Sequence, residues 1–394
     1  MNHSRALEGV RVLDLTRLVP GAYCTALLAD FGADVLKIEE PGRGDYLRWM
    51  PPRVKEYSAQ FLTLNRNKRS MTLDLKSARG REIFLKLVRR ADVVLDGFRP
   101  GVMERLHLAY PVLSRINPSL IHCSITGFGQ SGPYRDRPAH DINYIAIAGI
   151  LGLTGTAGGP PAIPGMQIAD IAAGGLMATV AILIALLARQ RTGRGQFIDV
   201  AMLDGAFSCL AMYVSKYLGD GVPIQRGQGR TNGGSPAINV YKTKDDRYLS
   251  VHALEEKFWA NFCRVLGRED LIPHQFGDGL HQSPFVAEVQ EVIATRPLDE
   301  WLVAFTGTDV CVEPVLDLAA VVEHPQLVHR EMIVSVEHPT EGGVRLLGVP
   351  FRLSDTPGDY YRPAPGLGEH TGEVLEELGL DSSEIAQLRE ERIV

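Results

Sequence analysis

Four stretches of the chain carry side chains whose types and spacing suit chemistry. RPAHDINYIAIAG, Arg137 to Gly149, places His140, Asp141 and Asn143 within four residues at the entrance to an apolar run. An imidazole beside a carboxylate is a general acid–base pair in outline, or a surface histidine next to a helix cap. MQIADIAAGG puts Asp170 at the head of a long apolar segment. That aspartate is either an N-cap or a nucleophile or acid beside free N–H groups, which could stabilise an anion or an enolate. Gly174 and Gly175 follow it. Inside a helix each glycine costs about 1 kcal/mol against alanine, so they point to the close approach of another backbone or a ligand. VHALEEKFW carries Glu255, a helix-start carboxylate on the plainest reading. LNRNKRSMTLDLK gathers Arg66, Lys68 and Arg69 before a strand. Such a cluster can grip phosphate, or simply be a solvated loop.

The elements that must position these residues follow from periodicity. VRVLDL (Val10 to Leu15), DVLKIEEPG, MTLDLK (Met71 to Lys76), DVVLDGF and SLIHCSITGFG read as five strands. AYCTALLADFGA, ended by Gly32, and ARGREIFLKLVRRA read as intervening helices, the second with Ile83, Phe84, Leu87 and Val88 at helical spacing. Strands alternating with helices predict βαβ units and a mostly parallel sheet. The dinucleotide fingerprint GxGxxG is missing where the first turn reads TRLVPGAYC, which argues against NAD. Further on, RTGRGQFIDVAMLDG reads as a basic glycine-containing loop, a strand and a helix. The glycine-rich GDGVPIQRGQGRTNGGS offers a linker. NVYKTKDDRYLSVHAL predicts a hairpin turning at Asp245-Asp246, and GGVRLLGVPFRLS predicts a late strand.

Totals limit the alternatives. The 394 residues are 45% hydrophobic and 22% charged, ordinary globular values with room for a large core. A net charge of −6 and no like-charge run exclude a global nucleic-acid field. The five cysteines are scattered, with no CxxC pair, which predicts reduced thiols in a cytoplasmic protein and neither a disulfide framework nor a metal site. The opening MNHSRALEGVRVLDL has no apolar core of a signal peptide. Ile171 to Ala188 is uncharged over 18 residues, the lower limit of a membrane span. Its small residues and flanking Asp170 and Arg189 favour a helix buried in a soluble domain.

In order along the chain, LADFGADVLKIEEPGRGD, NRNKRSMTLDLK, GFRPGVMERL, TGFGQSGPY, RTGRGQFIDVAMLDG and GTDVCVEPV resemble the class III CoA-transferase (CaiB/BaiF) family. The resemblance implies an α/β fold: a Rossmann-like large domain with a parallel sheet plus a smaller α+β domain, in an interlocked homodimer. It implies a large domain over 1–205, a linker over 206–229, a small domain over 230–325, and a return to the large domain over 330–394. It implies no prosthetic group; coenzyme A enters as the acyl-CoA substrate. Arg66, Lys68, Arg69, Leu73 and Lys76 fall where family members hold the adenosine and phosphates, and Arg17, Phe98 and Arg105 at other CoA contacts. Glu40 replaces the family arginine after KIE.

Asp170 matches the family's catalytic aspartate, which is acylated in transferases and acts as an acid/base in the α-methylacyl-CoA racemase branch. That branch adds a histidine in HDINY and a glutamate in ALE, here His140 and Glu255. The implied racemase reaction has His140 and Asp170 on opposite faces of the α-carbon and Glu255 setting the His140 tautomer. CoA transfer through an aspartyl thioester is the alternative. The racemase branch carries asparagine where this chain has Met166, and HDINY also occurs in transferases. Met177, Met202, Met212 and Tyr213 are candidates for an apolar acyl pocket or for core.

Overall fold

Six short runs, all but the third carrying Val, Leu or Ile, pair into one parallel sheet: β1 (Arg11–Asp14), β2 (Asp34–Glu39), β3 (Arg69–Thr72), β4 (Val93–Asp96), β5 (Ile121–Thr126) and β6 (Phe197–Ala201). The computed structural model describes residues 5–276 and 283–394. The strand order is β3-β2-β1-β4-β5-β6. β4 and β5 are buried along their whole length, as parallel strands covered on both faces should be. β3 starts at Arg69, two residues before the expected Met71, because Leu36 pairs with Arg69, and by Asp74 the chain has turned to bond Ile393. The order reverses between β1 and β4. In doubly wound sheets that reversal opens a crevice at the carboxyl ends of the two strands.

Helix Val19–Asp30 follows β1, with Pro20 in its first turn. The long apolar segment is helical from Ile168 to Thr192. Its first nine residues, Ile168–Leu176, are π-wound, and Met177–Thr192 is α-helical. Gly174 and Gly175 do mark close approach, of the Pro20 backbone at Gly175 and of side chains at Gly174. A Cβ on Gly175 would lie 3.0 Å from the Pro20 carbonyl oxygen, and one on Gly174 would lie 3.2 Å from the Pro20 ring. The expected burial of this helix holds on one face only. Val180, Ile184 and Leu187 are 51%, 62% and 59% exposed.

The chain folds as two compact units. The first comprises Met1–Ile145, Gln167–Cys209 and Pro325–Val394; the second comprises Ala146–Met166 and Leu210–His324. Two boundaries depart from the sequence reading. Ala146–Met166 leaves the first unit, and the expected linker is helical over Ala211–Asp220 and from Leu210 onward belongs to the second. The returning C-terminal segment completes the first unit. Val374, Leu375 and Leu388 pack into the core with Phe84 and Val88. The hairpin of β10 (Ile333–His338) and β11 (Gly342–Leu347) buries Val344 and Leu346 with Phe61 and Leu62. In the second unit, β7 (Ile238–Lys242), β8 (Tyr248–His252) and β9 (Val312–Pro314) form an antiparallel sheet, with the expected hairpin turning at Asp246. Its core is built on Trp259, Phe262, Trp301 and Phe305.

Candidate active site

The crevice at the sheet's reversal holds a cavity of about 180 Å³. Thr16–Leu18 after β1 and Gly97 after β4 form walls, and His140, Tyr144, Asp170 and Met202 complete them. Each polar residue of HDINY has a separate task. His140 precedes helix Asp141–Ala148 and is held at the backbone, where its N–H donates to Asn143 Oδ1 at 3.0 Å and its carbonyl accepts from Asn143 N–H at 2.8 Å. Tyr144 is buried and its hydroxyl donates to the Ala139 carbonyl at 2.8 Å. Asp141 caps a helix, but not its own. Its Oδ1 accepts the N–H groups of Ala169 at 2.6 Å and of Asp170 at 3.1 Å.

That bond corrects one expectation. The free N–H groups at the Asp170 helix start were expected to face an anionic intermediate, and two of them are already taken by Asp141. The same carboxylate acts on Asp170 electrostatically. Burial, reinforced by the Asp141 charge, pushes the Asp170 carboxyl up from 3.8 to about 6, with His140 pulling the other way. The cavity therefore contains an imidazole and a carboxyl that titrates near neutrality, a combination typical of functional sites. π-wound turns are likewise frequent at such sites.

The basic cluster is the second correction. Arg66, Lys68 and Arg69 keep only 6%, 0% and 11% side-chain exposure. Arg66 makes two bonds to Asp30, at 3.0 and 2.7 Å, and one to the Leu347 carbonyl. Lys68 bonds the Ala22 carbonyl and Asn65 and lies 3.5 Å from Asp14. Arg69 spans Asp34, Glu373 and Glu377. Leu73 is core. Carboxylates on other elements, buried for Arg66 and Lys68 and partly exposed for Arg69, already pair with these cations, so none of the three offers a free head to a phosphate. Arg17, Lys76 and Arg105 remain outward. Glu40 joins two of them, 3.3 Å from Arg17 and 2.8 Å from Lys76. Phe98 lines a second cavity of about 320 Å³ with Arg99, His122 and Arg135. Glu255 lies in the second unit, exposed, at the N-cap of helix Glu256–Leu266. Of the expected acyl-pocket residues, Met202 lines the Asp170 cavity; Met212 and Tyr213 belong to the second unit. Thr16, Leu18 and Tyr144 were not singled out in the sequence, since loop backbone and a buried tyrosine carry no motif of their own.

The sequence profile of CoA-transferase family III matches residues 7–371. The chain belongs to this family. Human α-methylacyl-CoA racemase is 37% identical over 99% of this chain and 97% of its own length. Human succinyl-CoA:glutarate CoA-transferase is 34% identical over 98% and 90%. A CaiB/BaiF family protein from Brucella suis has a known structure that superposes with a TM-score of 0.83 at 32% identity, covering 95% of this chain and all of that one. CoA-transferase family III thus includes relatives of two chemistries at nearly equal distance, and the family alone does not choose between them.

Proposed function

We propose that this family member racemises or epimerises a 2-methylacyl-CoA by 1,1-proton transfer through an enolate. The observation that carries the reading is the pairing of His140 with Asp170 in one small cavity, with Asp170 shifted towards neutral pH. An α-proton of a thioester is too weakly acidic for a lone base, and inversion needs a base on one face and an acid on the other. In this reading neutral His140 removes the proton and protonated Asp170 returns one to the opposite face; the reverse direction exchanges the roles. The family resemblance gives Glu255 the task of setting the His140 tautomer. With Ala169 and Asp170 N–H groups occupied by Asp141, the thioester oxygen has Arg17 and the start of helix Val19–Asp30 as its positive partners. Arg17, Lys76, Phe98 and Arg105 are the CoA contacts we retain.

The second reading is CoA transfer to a carboxylate acceptor, with Asp170 as nucleophile forming an anhydride and then an aspartyl thioester. The 34% identity to a CoA-transferase favours it, but it leaves His140 without a chemical role. We further propose a cytoplasmic homodimer, interlocked as the family resemblance implies. The exposed stripe Val180, Ile184 and Leu187 suits burial against a second copy.

One chiral 2-methylacyl-CoA in D2O, with no carboxylic acid acceptor, tests the choice. Deuterium at C2 together with loss of chirality supports racemisation. No exchange, with CoA migration once carboxylic acids are added, refutes it in favour of transfer.

A further inference from the structure

The Thr16–Leu18 wall of the Asp170 cavity has an unusual backbone. Leu18 sits at φ 63°, ψ −158°, a region populated almost only by glycine. A leucine stays there only where its surroundings over-determine it. Those surroundings are four charged side chains without solvent exposure: Asp14, Lys37, Asp45 and Lys68. Lys37 Nζ lies 2.8 Å from Asp45 Oδ2 and donates to the Thr16 carbonyl at 2.9 Å. Asp45 Oδ1 accepts the Leu18 N–H at 3.0 Å. The two peptide groups that flank Arg17 are therefore each held by one member of a buried ion pair. Asp14 Oδ1 fixes the preceding residue, accepting the Thr16 N–H at 2.9 Å and its hydroxyl at 2.5 Å.

Stability is a weak reason for such a network. Taking charges out of water is unfavourable, and replacing a buried pair by apolar residues is often neutral or stabilising. None of the four side chains lines the cavity, whereas Thr16, Arg17 and Leu18 all do. What the network specifies is the course of the backbone at that wall.

We infer that Lys37 and Asp45 are positioning residues for the reaction at Asp170, acting through the peptide groups on either side of Arg17. The inference rests on reading this cavity as the acyl-CoA site. Release of the wall moves Arg17 and Leu18 relative to Asp170 while the thioester's remote contacts persist, so turnover falls more than affinity.

The test compares Asp45→Ala with Asp45→Asn in the full chain. Asn keeps an oxygen for the Leu18 N–H; Ala keeps none. Asp45→Ala should stay folded by circular dichroism and lose kcat about 30-fold or more with KM for acyl-CoA nearly unchanged, within the roughly 100-fold effect of an ångström-scale misplacement. Asp45→Asn should recover most of that loss. Full kcat in Asp45→Ala, equal losses in both variants, or a loss confined to KM would overturn the inference. If Asp45→Ala does not fold, the charge-neutral pair Lys37→Met/Asp45→Asn decides, since it frees the Thr16 carbonyl without leaving an orphan charge: lowered kcat supports the inference and full kcat overturns it. Slow amide exchange at Leu18 in the wild type is also required; fast exchange overturns it. A wild type that transfers CoA without exchanging the α-proton sinks only the racemase reading, and the variants are then scored on transfer. A wild type inert in both assays overturns the acyl-CoA reading and the inference together.

Discussion

Replacing Asp170 by asparagine should stabilise the fold while abolishing turnover. The carboxyl titrates at about 6 in the folded chain against 3.8 ordinarily, chiefly because it is buried, and secondarily because Asp141 lies close. A folded-state value above the unfolded one means the native protein binds the proton more tightly. The group is then neutral in its effect below about pH 3.8, and its ionisation opposes folding as the pH rises through 6. A move from 3.8 to about 6 is worth about 3 kcal/mol in full. Because Asp170 is only half-buried, that figure is an upper bound. The linkage relation gives a penalty of about 1 kcal/mol at pH 4.5, growing to at most about 3 kcal/mol at pH 7.5. Asparagine cannot ionise, so Asp170→Asn escapes the penalty.

The assay is thermal or urea unfolding of both proteins at pH 4.5 and 7.5. The variant's advantage should be small at pH 4.5 and clearly larger at pH 7.5, alongside complete loss of α-proton exchange and CoA transfer. An advantage equal at both pH values would mean the stabilisation has nothing to do with ionisation. No advantage at pH 7.5 would refute the claim that burial and Asp141 hold this carboxyl in a strained ionisation state. Loss of stability at an active site is the expected companion of function.

Other measurements test the remaining links. Proton exchange needs one proton on the His140–Asp170 pair, so kcat/KM should be bell-shaped and the same in both directions; transfer needs ionised Asp170 and should rise through about pH 6 to a plateau. His140→Ala should lower exchange about 10²- to 10⁴-fold, and unaltered exchange would remove His140 from the reaction. Arg66→Ala should destabilise the fold by about 3–5 kcal/mol by orphaning buried Asp30, whereas Arg105→Ala should leave stability intact and raise KM for acyl-CoA; the reverse pattern would restore Arg66 as a CoA contact. Ile184→Glu should shift a dimer to monomer in sedimentation, and an unchanged mass would show that this stripe is not the interface.

The sheet was legible because its strands are short apolar runs between helices, and period survives in a single sequence. The apolar Asp170 helix with Gly174–Gly175 and the adjacent His140 and Asp141 also had local signatures; the π winding of that helix and the place of Tyr144 did not. The basic cluster misled for a definite reason. Arg66, Lys68 and Arg69 read as an anion site because their counter-charges, Asp30, Asp14 and Asp34 with Glu373 and Glu377, lie 35 to more than 300 residues away. A charge cluster reveals its sign locally but not whether tertiary structure has already neutralised it. The transfer of Ala146–Met166 to the second unit was illegible for a similar reason, since a segment's allegiance depends on what it packs against.

Asp141 ties the two chemical groups together. It follows His140 in the chain and is bonded to the N–H of Asp170 and of its neighbour. One carboxylate therefore joins the start of the His140 helix to the start of the Asp170 helix. Proton transfer to opposite faces of one carbon depends on the distance between two groups, and here Asp141, next to His140 in the chain, bonds the N–H of Asp170 itself and of Ala169 before it. The same charge helps hold the Asp170 proton. Asp141→Asn separates the two effects, because an amide oxygen can still accept both N–H groups while the charge is gone. If geometry is its main contribution, turnover survives and the Asp170 titration moves below 6. If charge dominates, the Asp170 proton and the exchange reaction are lost together at neutral pH, with the fold intact.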